Sequence, residues 1–144
     1  MPATQTSSNS QVRRPGFEAY QTTGQEDSDI QVMARIVGYA GTYITQALTS
    51  SIVYSTFDLS SATPTTAIVD STSLTVSAVV FDALQRDERW TVDDIGYNFR
   101  VHTLAATIPA TGDHMYRIEF KFTDSSSDVF FGVVQVYAEP ISTS

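Results

Sequence analysis

Residues 114–123 read His-Met-Tyr-Arg-Ile-Glu-Phe-Lys-Phe-Thr, residues 124–128 Asp-Ser-Ser-Ser-Asp, and residues 129–137 Val-Phe-Phe-Gly-Val-Val-Gln-Val-Tyr. In the first stretch Tyr116, Ile118, Phe120 and Phe122 alternate with Arg117, Glu119, Lys121 and Thr123, the period of two that a half-buried strand needs. The polar break is too short for a helix, so the third stretch folds back beside the first as an antiparallel hairpin. Its residues are apolar at nearly every position. That pattern predicts a strand covered on both faces, or a register shift at Gly132 through a bulge.

Upstream the same signal recurs. Ile30, Val32, Ala34 and Ile36 alternate with Gln31, Met33, Arg35 and Val37 and stop at the turn Gly38-Tyr39-Ala40-Gly41. Residues 43–49 fit a short strand or a loop, and residues 52–59 are rich in β formers without settling a register. A turn cluster surrounds Pro64, and residues 66–69 and 74–81 are two further extended runs. The pattern lapses over 82–94, where the helix formers of 83–89 are too few to stand alone, so a loop with one helical turn is expected. Residues 96–104 resume the alternation with Tyr97, Phe99 and Val101 on one side, and 108–113 form a corner. This makes about seven strands at sandwich spacings and leaves no amphipathic helix for a βαβ crossover. The expected fold is all-β, an antiparallel immunoglobulin-like β-sandwich of about seven strands. Tyr116, which opens a strand after a corner, is either the buried tyrosine of such a corner or ordinary core.

A chain of 144 residues suits a single core. Residues 1–28 stand apart from the rest, being dominated by Ser, Thr and Gln, broken by Pro2, Pro15, Gly16 and Gly24, and without apolar periodicity. They are expected to be an extended N-terminal arm, with the β-sandwich domain over 29–144. Within the arm Arg13, Arg14, Phe17 and Tyr20 combine the side chains most enriched at protein interfaces. They are the candidate contacts by which the arm docks on a neighbour, the alternative being a solvated tail.

Sixteen acidic residues against eight basic ones give a net charge of −8, and Lys121 is the single lysine. Such a field repels phosphate backbones and anionic lipid, so neither nucleic acid nor a membrane is expected as a partner. The chain has no cysteine, which excludes disulfides and thiolate metal sites. No apolar leader and no run of ~18 to 20 apolar residues is present, so neither an export signal nor a membrane helix is expected.

A metal centre needs several converging ligands, and His102 and His114 make at best half of one, so structural positions are expected for both. The acid pairs Asp87-Glu88 and Asp93-Asp94 share one polar loop without the spacing of a calcium loop, and they read as surface acids. No Gly-x-Ser-x-Gly elbow and no glycine-rich phosphate loop occurs. No catalytic residue, metal site or cofactor is expected, and the chain does not read as an enzyme.

Residues 80–85 (Val-Phe-Asp-Ala-Leu-Gln), Trp90-Thr91-Val92-Asp93, Gly96-Tyr97-Asn98-Phe99-Arg100, Ile108-Pro109-Ala110 and residues 116–123, with Ala34 to Gly38 and Tyr54 to Leu59, are similar to small β-sandwich proteins of tailed-bacteriophage genomes. The resemblance covers most of the body and none of the arm. It implies a virion component without enzymatic motifs, located in the virion. In this chain Val101 separates Arg100 from His102, where the resemblance would have the histidine follow the arginine directly. An insertion there predicts a bulge in that strand.

Two classes of function follow. In the first the chain is a structural virion protein, a homo-oligomer that cements the capsid shell beside the major capsid protein or forms part of the neck or tail. In the second it is a fibre-like or adhesin-like module that grips a glycan through Trp90, Tyr39 and Tyr43. A polar arm that orders only on a partner favours the first.

Overall fold

The computed structural model describes residues 15–23, 29–103 and 113–140. The elements are β1 (Gly16–Thr23), β2 (Ile30–Val37), β3 (Thr49–Asp58), β4 (Ala67–Leu74), the single-turn helix α1 (Val76–Val79), β5 (Val80–Gln85), β6 (Tyr97–Thr103), β7 (His114–Asp124) and β8 (Val129–Ala138). They form two four-stranded antiparallel sheets, one in the order β1-β2-β6-β5 and the other β4-β3-β7-β8. The two sheets enclose one main core, so the fold is an all-β sandwich. Among the described residues eight strands stand where about seven are expected, because residues 16–23 also pair.

The hairpin of β7 and β8 forms as expected. Its ladder runs from His114↔Ala138 to Thr123↔Val129 without a shift. Asp124 closes the turn, its Oδ1 accepting from the amides of Ser126 and Asp128 at 2.9 Å each. Ser127 takes a positive φ of 70° there. β8 is neither covered on both faces nor bulged at Gly132. Phe130, Gly132, Val134, Val136 and Ala138 turn inward, and Val129, Phe131, Val133, Gln135 and Tyr137 are exposed. Gly132 keeps the register because the ring of Phe17 lies against it: a Cβ built there would stand 2.5 Å from Phe17 Cε1.

Phe17 lies in the stretch expected to be arm, yet it is half-buried and packs against the core. Its ring centroid is 5.9 Å from that of Phe120, 6.0 Å from Phe99 and 6.2 Å from Phe122. The strand escapes sequence reading for a physical reason. The β1–β2 register shifts between Phe17 and Ala19, so the inward positions lose their period of two, and apart from the exposed Tyr20 its other side chains are small or polar. Residues 1–14 and 24–28, and with them Arg13 and Arg14, lie outside the described residues.

Other expectations are corrected. The helical turn falls at Val76–Val79, before the stretch that was expected to carry it, and residues 80–85 extend as β5. The ladder of β2 and β6 runs from Ile30↔Thr103 to Ala34↔Phe99 without a shift, so Val101 makes no bulge. Val101 is buried and His102 is exposed, the alternation of a regular strand. The irregularity lies instead at Asn98, whose side-chain Oδ1 accepts from Ile36 N at 2.8 Å and whose Nδ2 donates to Ile36 O at 3.0 Å. The amide takes the place of a ladder pair. Beyond it Tyr97 leaves the side of Phe99 and Val101 and joins Met33 and Trp90 in a second cluster.

The main core is strongly aromatic. Phe122 stacks on Phe130 at 5.0 Å, and Phe99 meets Phe120 edge-on at 5.3 Å, arrangements that add to the burial of the rings. Phe120 is fully buried and Lys121 is exposed. Phe120→Ala is therefore expected to cost about 3–5 kcal/mol and Lys121→Ala less than about 0.5 kcal/mol, read as denaturant midpoints. Gly132→Ala should cost about 1–3 kcal/mol, because the Phe17 ring has to move. An unchanged midpoint for Gly132→Ala would contradict the close approach of β1 and β8.

Candidate functional site

The outer face of the first sheet is covered by the chain itself. On β2, Val32, Ala34 and Ile36 enter the main core while Met33 and Arg35 point the other way, and all five are buried. The cover is the connection between β5 and β6, in which Trp90 packs against Tyr97 at 5.7 Å and joins Met33. Arg35, only 5% exposed, needs partners for its charge. Its Nε meets Glu18 Oε1 at 3.0 Å, its Nη2 meets Asp93 Oδ2 at 2.9 Å, and its Nη1 donates to Asp93 Oδ1 and to the carbonyl of Gly96, both at 3.0 Å. Trp90 Nε1 donates to the same Asp93 Oδ1 at 3.0 Å.

Two of the four loop acids thus bond to the sheet, Asp93 half-buried and Asp87 exposed. Arg35, then Trp90, then the amides of Ile95 and Gly96 hold the Asp93 carboxyl far below the usual carboxylate range. Arg89, followed by the Tyr97 hydroxyl, brings Asp87 down to about 2. Tyr97 donates to Asp87 Oδ2 at 2.7 Å, and burial followed by this bond pushes its own pKa up. Glu88 and Asp94 are exposed, as surface acids should be. Gly96 ends the loop at a φ of +112°, and a Cβ there would stand 2.5 Å from the carbonyl oxygen of Gln85. No other residue fits that corner without strain.

The two histidines do not meet. His102 Nε2 is 3.5 Å from Asp29 Oδ2, whereas His114 Nδ1 is 2.8 Å from Asp58 Oδ2 in the other sheet. Among the described residues no three His, Cys, Asp or Glu side chains gather as a metal site would require, and no helix is long and apolar enough to cross a membrane. Tyr116 is fully buried, and burial raises its pKa. The corner before it, residues 104–112, lies outside the described residues.

Of the three aromatics considered for glycan contact, Trp90 is only 6% exposed and belongs to the loop cap. Tyr39 and Tyr43 do come together, at one end of the sandwich. With Leu48, Thr49, Asp124 and Ser125 they line a cavity of about 120 Å3. The Tyr39 hydroxyl donates to Val129 O at 2.8 Å, and its ring stands edge-on to Phe130. Ser125 N donates to Leu48 O at 3.0 Å, which ties the two walls together.

The most unusual surface is the outer face of β8. Phe131 is 53% exposed, and Val129, Val133 and Tyr137 stand beside it at 38%, 39% and 45%. Tyr137 is pinned by its hydroxyl, which donates to Asp113 Oδ1 at 2.6 Å. From the hairpin sequence this face was expected to be covered, since the apolar run carries no sign of which half would stay bare. Tyr20, the exposed aromatic of the expected docking cluster, lies on β1 with its ring 5.9 Å from that of Phe17.

Compared with known proteins, the chain matches no family model and no curated sequence. Fold and surface together describe a two-sheet all-β protein whose first sheet is capped by its own loop and whose second presents an apolar outer strip.

The depressed carboxyls set an acid limit. A group whose folded pKa lies below its unfolded value of about 4 contributes stability above that pH and loses it as the pH falls through the folded pKa. Melting temperatures are expected to be level from neutral pH down to about 4 and to fall below that. Asp93→Asn should melt lower at neutral pH and show a shallower acid limb, with the emission of the single tryptophan, Trp90, shifted to longer wavelength. An unaltered acid limb in this variant would show that Asp93 does not set it.

Proposed function

We propose that the chain is a non-enzymatic structural component of a tailed-bacteriophage virion, and within the virion a capsid cement or decoration protein beside the major capsid protein rather than a neck or tail part. The observation that carries the assembly reading is the outer strip of β8. Contiguous exposed apolar surface marks a contact site, and a long edge strand without charge invites pairing. The virion itself, as the particle, rests on the sequence resemblance. The arm residues Arg13 and Arg14 belong to the same reading, as contacts made with neighbouring virion proteins.

The finer architecture is part of this proposal. With β1, β2, β6 and β5 as strands A, B, E and D, and β4, β3, β7 and β8 as C′, C, F and G, the strand order supports an immunoglobulin-like sandwich. The buried Tyr116 near the start of F supports it further.

A second reading, a glycan-binding fibre-like module, is favoured by the cavity that Tyr39 and Tyr43 line. Aromatic faces beside hydroxyl and carboxylate groups suit a sugar ring.

Quantifying the protein in purified particles against the major capsid protein separates these readings. A cement protein repeats over the shell, so a ratio near parity is expected, with clusters of closed symmetry. A ratio of a few percent would place it in the neck or tail. Absence from particles, combined with glycan binding that Tyr43→Ala abolishes, would replace the assembly reading with the second.

A further inference from the structure

β8 is an edge strand, and among the described residues no strand pairs with its outer side. Natural edges of this length are usually blunted by lysine, proline or a bulge. Val129–Ala138 has none of these, and no charged residue of any kind, in a chain of net charge −8.

The ladder shows which backbone groups face that edge. Asp124 N donates to Asp128 O at 2.9 Å, so that pair is a hydrogen-bonded one, and antiparallel pairs alternate from there along an unshifted register. The even-numbered residues of β8 turn their N–H and C=O groups toward β7. Those of Val129, Phe131, Val133, Gln135 and Tyr137 face outward.

Half of this edge is already covered. The Tyr39 hydroxyl occupies Val129 O at 2.8 Å. Gly16 lies over Phe131 O, which would be 3.6 Å from a Cβ at that glycine. The open half is Val133, Gln135 and Tyr137.

We propose that this open half is the interface with a second copy of the chain. Two β8 strands pair antiparallel across a twofold axis at Gln135, which sets Val133 against the partner's Tyr137 and joins two four-stranded sheets into one of eight strands. The inference rests on the reading of this face as an assembly surface and names its first partner.

Three features select a second copy over other occupants. The segment is self-complementary about its middle residue, as a twofold interface has to be. The two Gln135 side chains meet at the axis, where each amide both donates and accepts. Two bodies of charge −8 repel, so their contact belongs on a strand that itself carries no charge, Asp113 and Glu139 lying only at its Tyr137 end. Residues 1–14 are a poorer match to Val133 and Tyr137, since Ser, Thr, Gln, Asn and Arg predominate among them. Three facing pairs fall well short of a standard interface of about 20–30 residues per side, so the dimer dissociates on dilution.

Sedimentation velocity on the full chain over a roughly hundredfold concentration range tests the pairing. The wild type should pass from monomer to dimer, and Gln135→Lys, which places two like charges at the axis, should weaken association by at least about tenfold. Val133→Lys should do the same, and unchanged melting curves would show that both variants fold. The chain has no cysteine of its own, so Gln135→Cys should give a disulfide-linked dimer on mild oxidation, because hydrogen-bonded antiparallel pairs sit about 5.5 Å apart at Cα. A wild type that stays monomeric throughout, or a dimer indifferent to both lysines, overturns the proposal. A lysine-sensitive dimer without the cysteine cross-link overturns the axis at Gln135. A monomeric wild type whose incorporation into particles is lost with Gln135→Lys assigns the edge to another protein, leaving the virion reading intact. A lysine-sensitive dimer absent from particles removes the virion and leaves the pairing.

Discussion

A guanidinium with almost no access to water has to be neutralised where it stands, and the first sheet is arranged around that requirement. Arg35 sits mid-strand on β2, facing away from the main core. Its partners come from three directions: Glu18 on β1, Asp93 in the β5–β6 connection and the Gly96 carbonyl at the start of β6. One side chain thereby fixes the edge strand, the loop cap and the corner at Gly96. Buried ion pairs seldom add much net stability, but removing one partner strands a charge. The network therefore acts mainly as a specification, making any loop placement that leaves Arg35 unpaired costly. Trp90 and Tyr97 supply the apolar burial that the ion pairs do not.

The two sheets treat their outer faces in opposite ways. The first is closed over by its own loop, whose Asp93 and Asp87 bond to Arg35, Trp90 and Tyr97. Among the described residues nothing covers the second. Its outward row on β7, from Arg117 through Glu119 to Lys121, is charged, with Arg117 and Glu119 paired at 3.0 Å, while the neighbouring row on β8 is apolar. A charged row beside an uncharged one keeps the face soluble yet leaves a narrow strip where contact costs no desolvated charge.

Sequence reading reached what depends on local alternation. The period of two in Tyr116, Ile118, Phe120 and Phe122 located β7 and its buried face, and the same pattern located β2. It failed where a long-range partner decided the outcome. Phe17 has only Pro15 and Ala19 at i±2, too small a pair to mark a buried strand face, so little in the local sequence singles it out. It packs against the core only because Gly132, more than a hundred residues downstream, leaves room for its ring. Asp93 looks like a surface acid until the sheet brings Arg35 to it, whereas Asp87 stays exposed while it accepts from Tyr97. Trp90 looks like a loop aromatic for the same reason. The run in β8 was visible as apolar, but both halves of its alternation are apolar, and only the packing shows which half was left bare.

Closure of the core and the exposed edge turn out to be one geometric fact. Phe17 inserts against Gly132, which draws β1 so close to β8 that Gly16 lies over the carbonyl of Phe131. Tyr39, held edge-on against Phe130, covers the carbonyl of Val129. The residues that seal this side of the sandwich therefore also decide where the accessible edge begins. A larger side chain at 132 would push β1 outward and uncover Phe131, lengthening the bare edge and with it the number of registers in which another strand could add. A glycine in a strand built mostly of large apolar residues thus limits pairing to a short, defined segment, which is how an edge this apolar can remain specific.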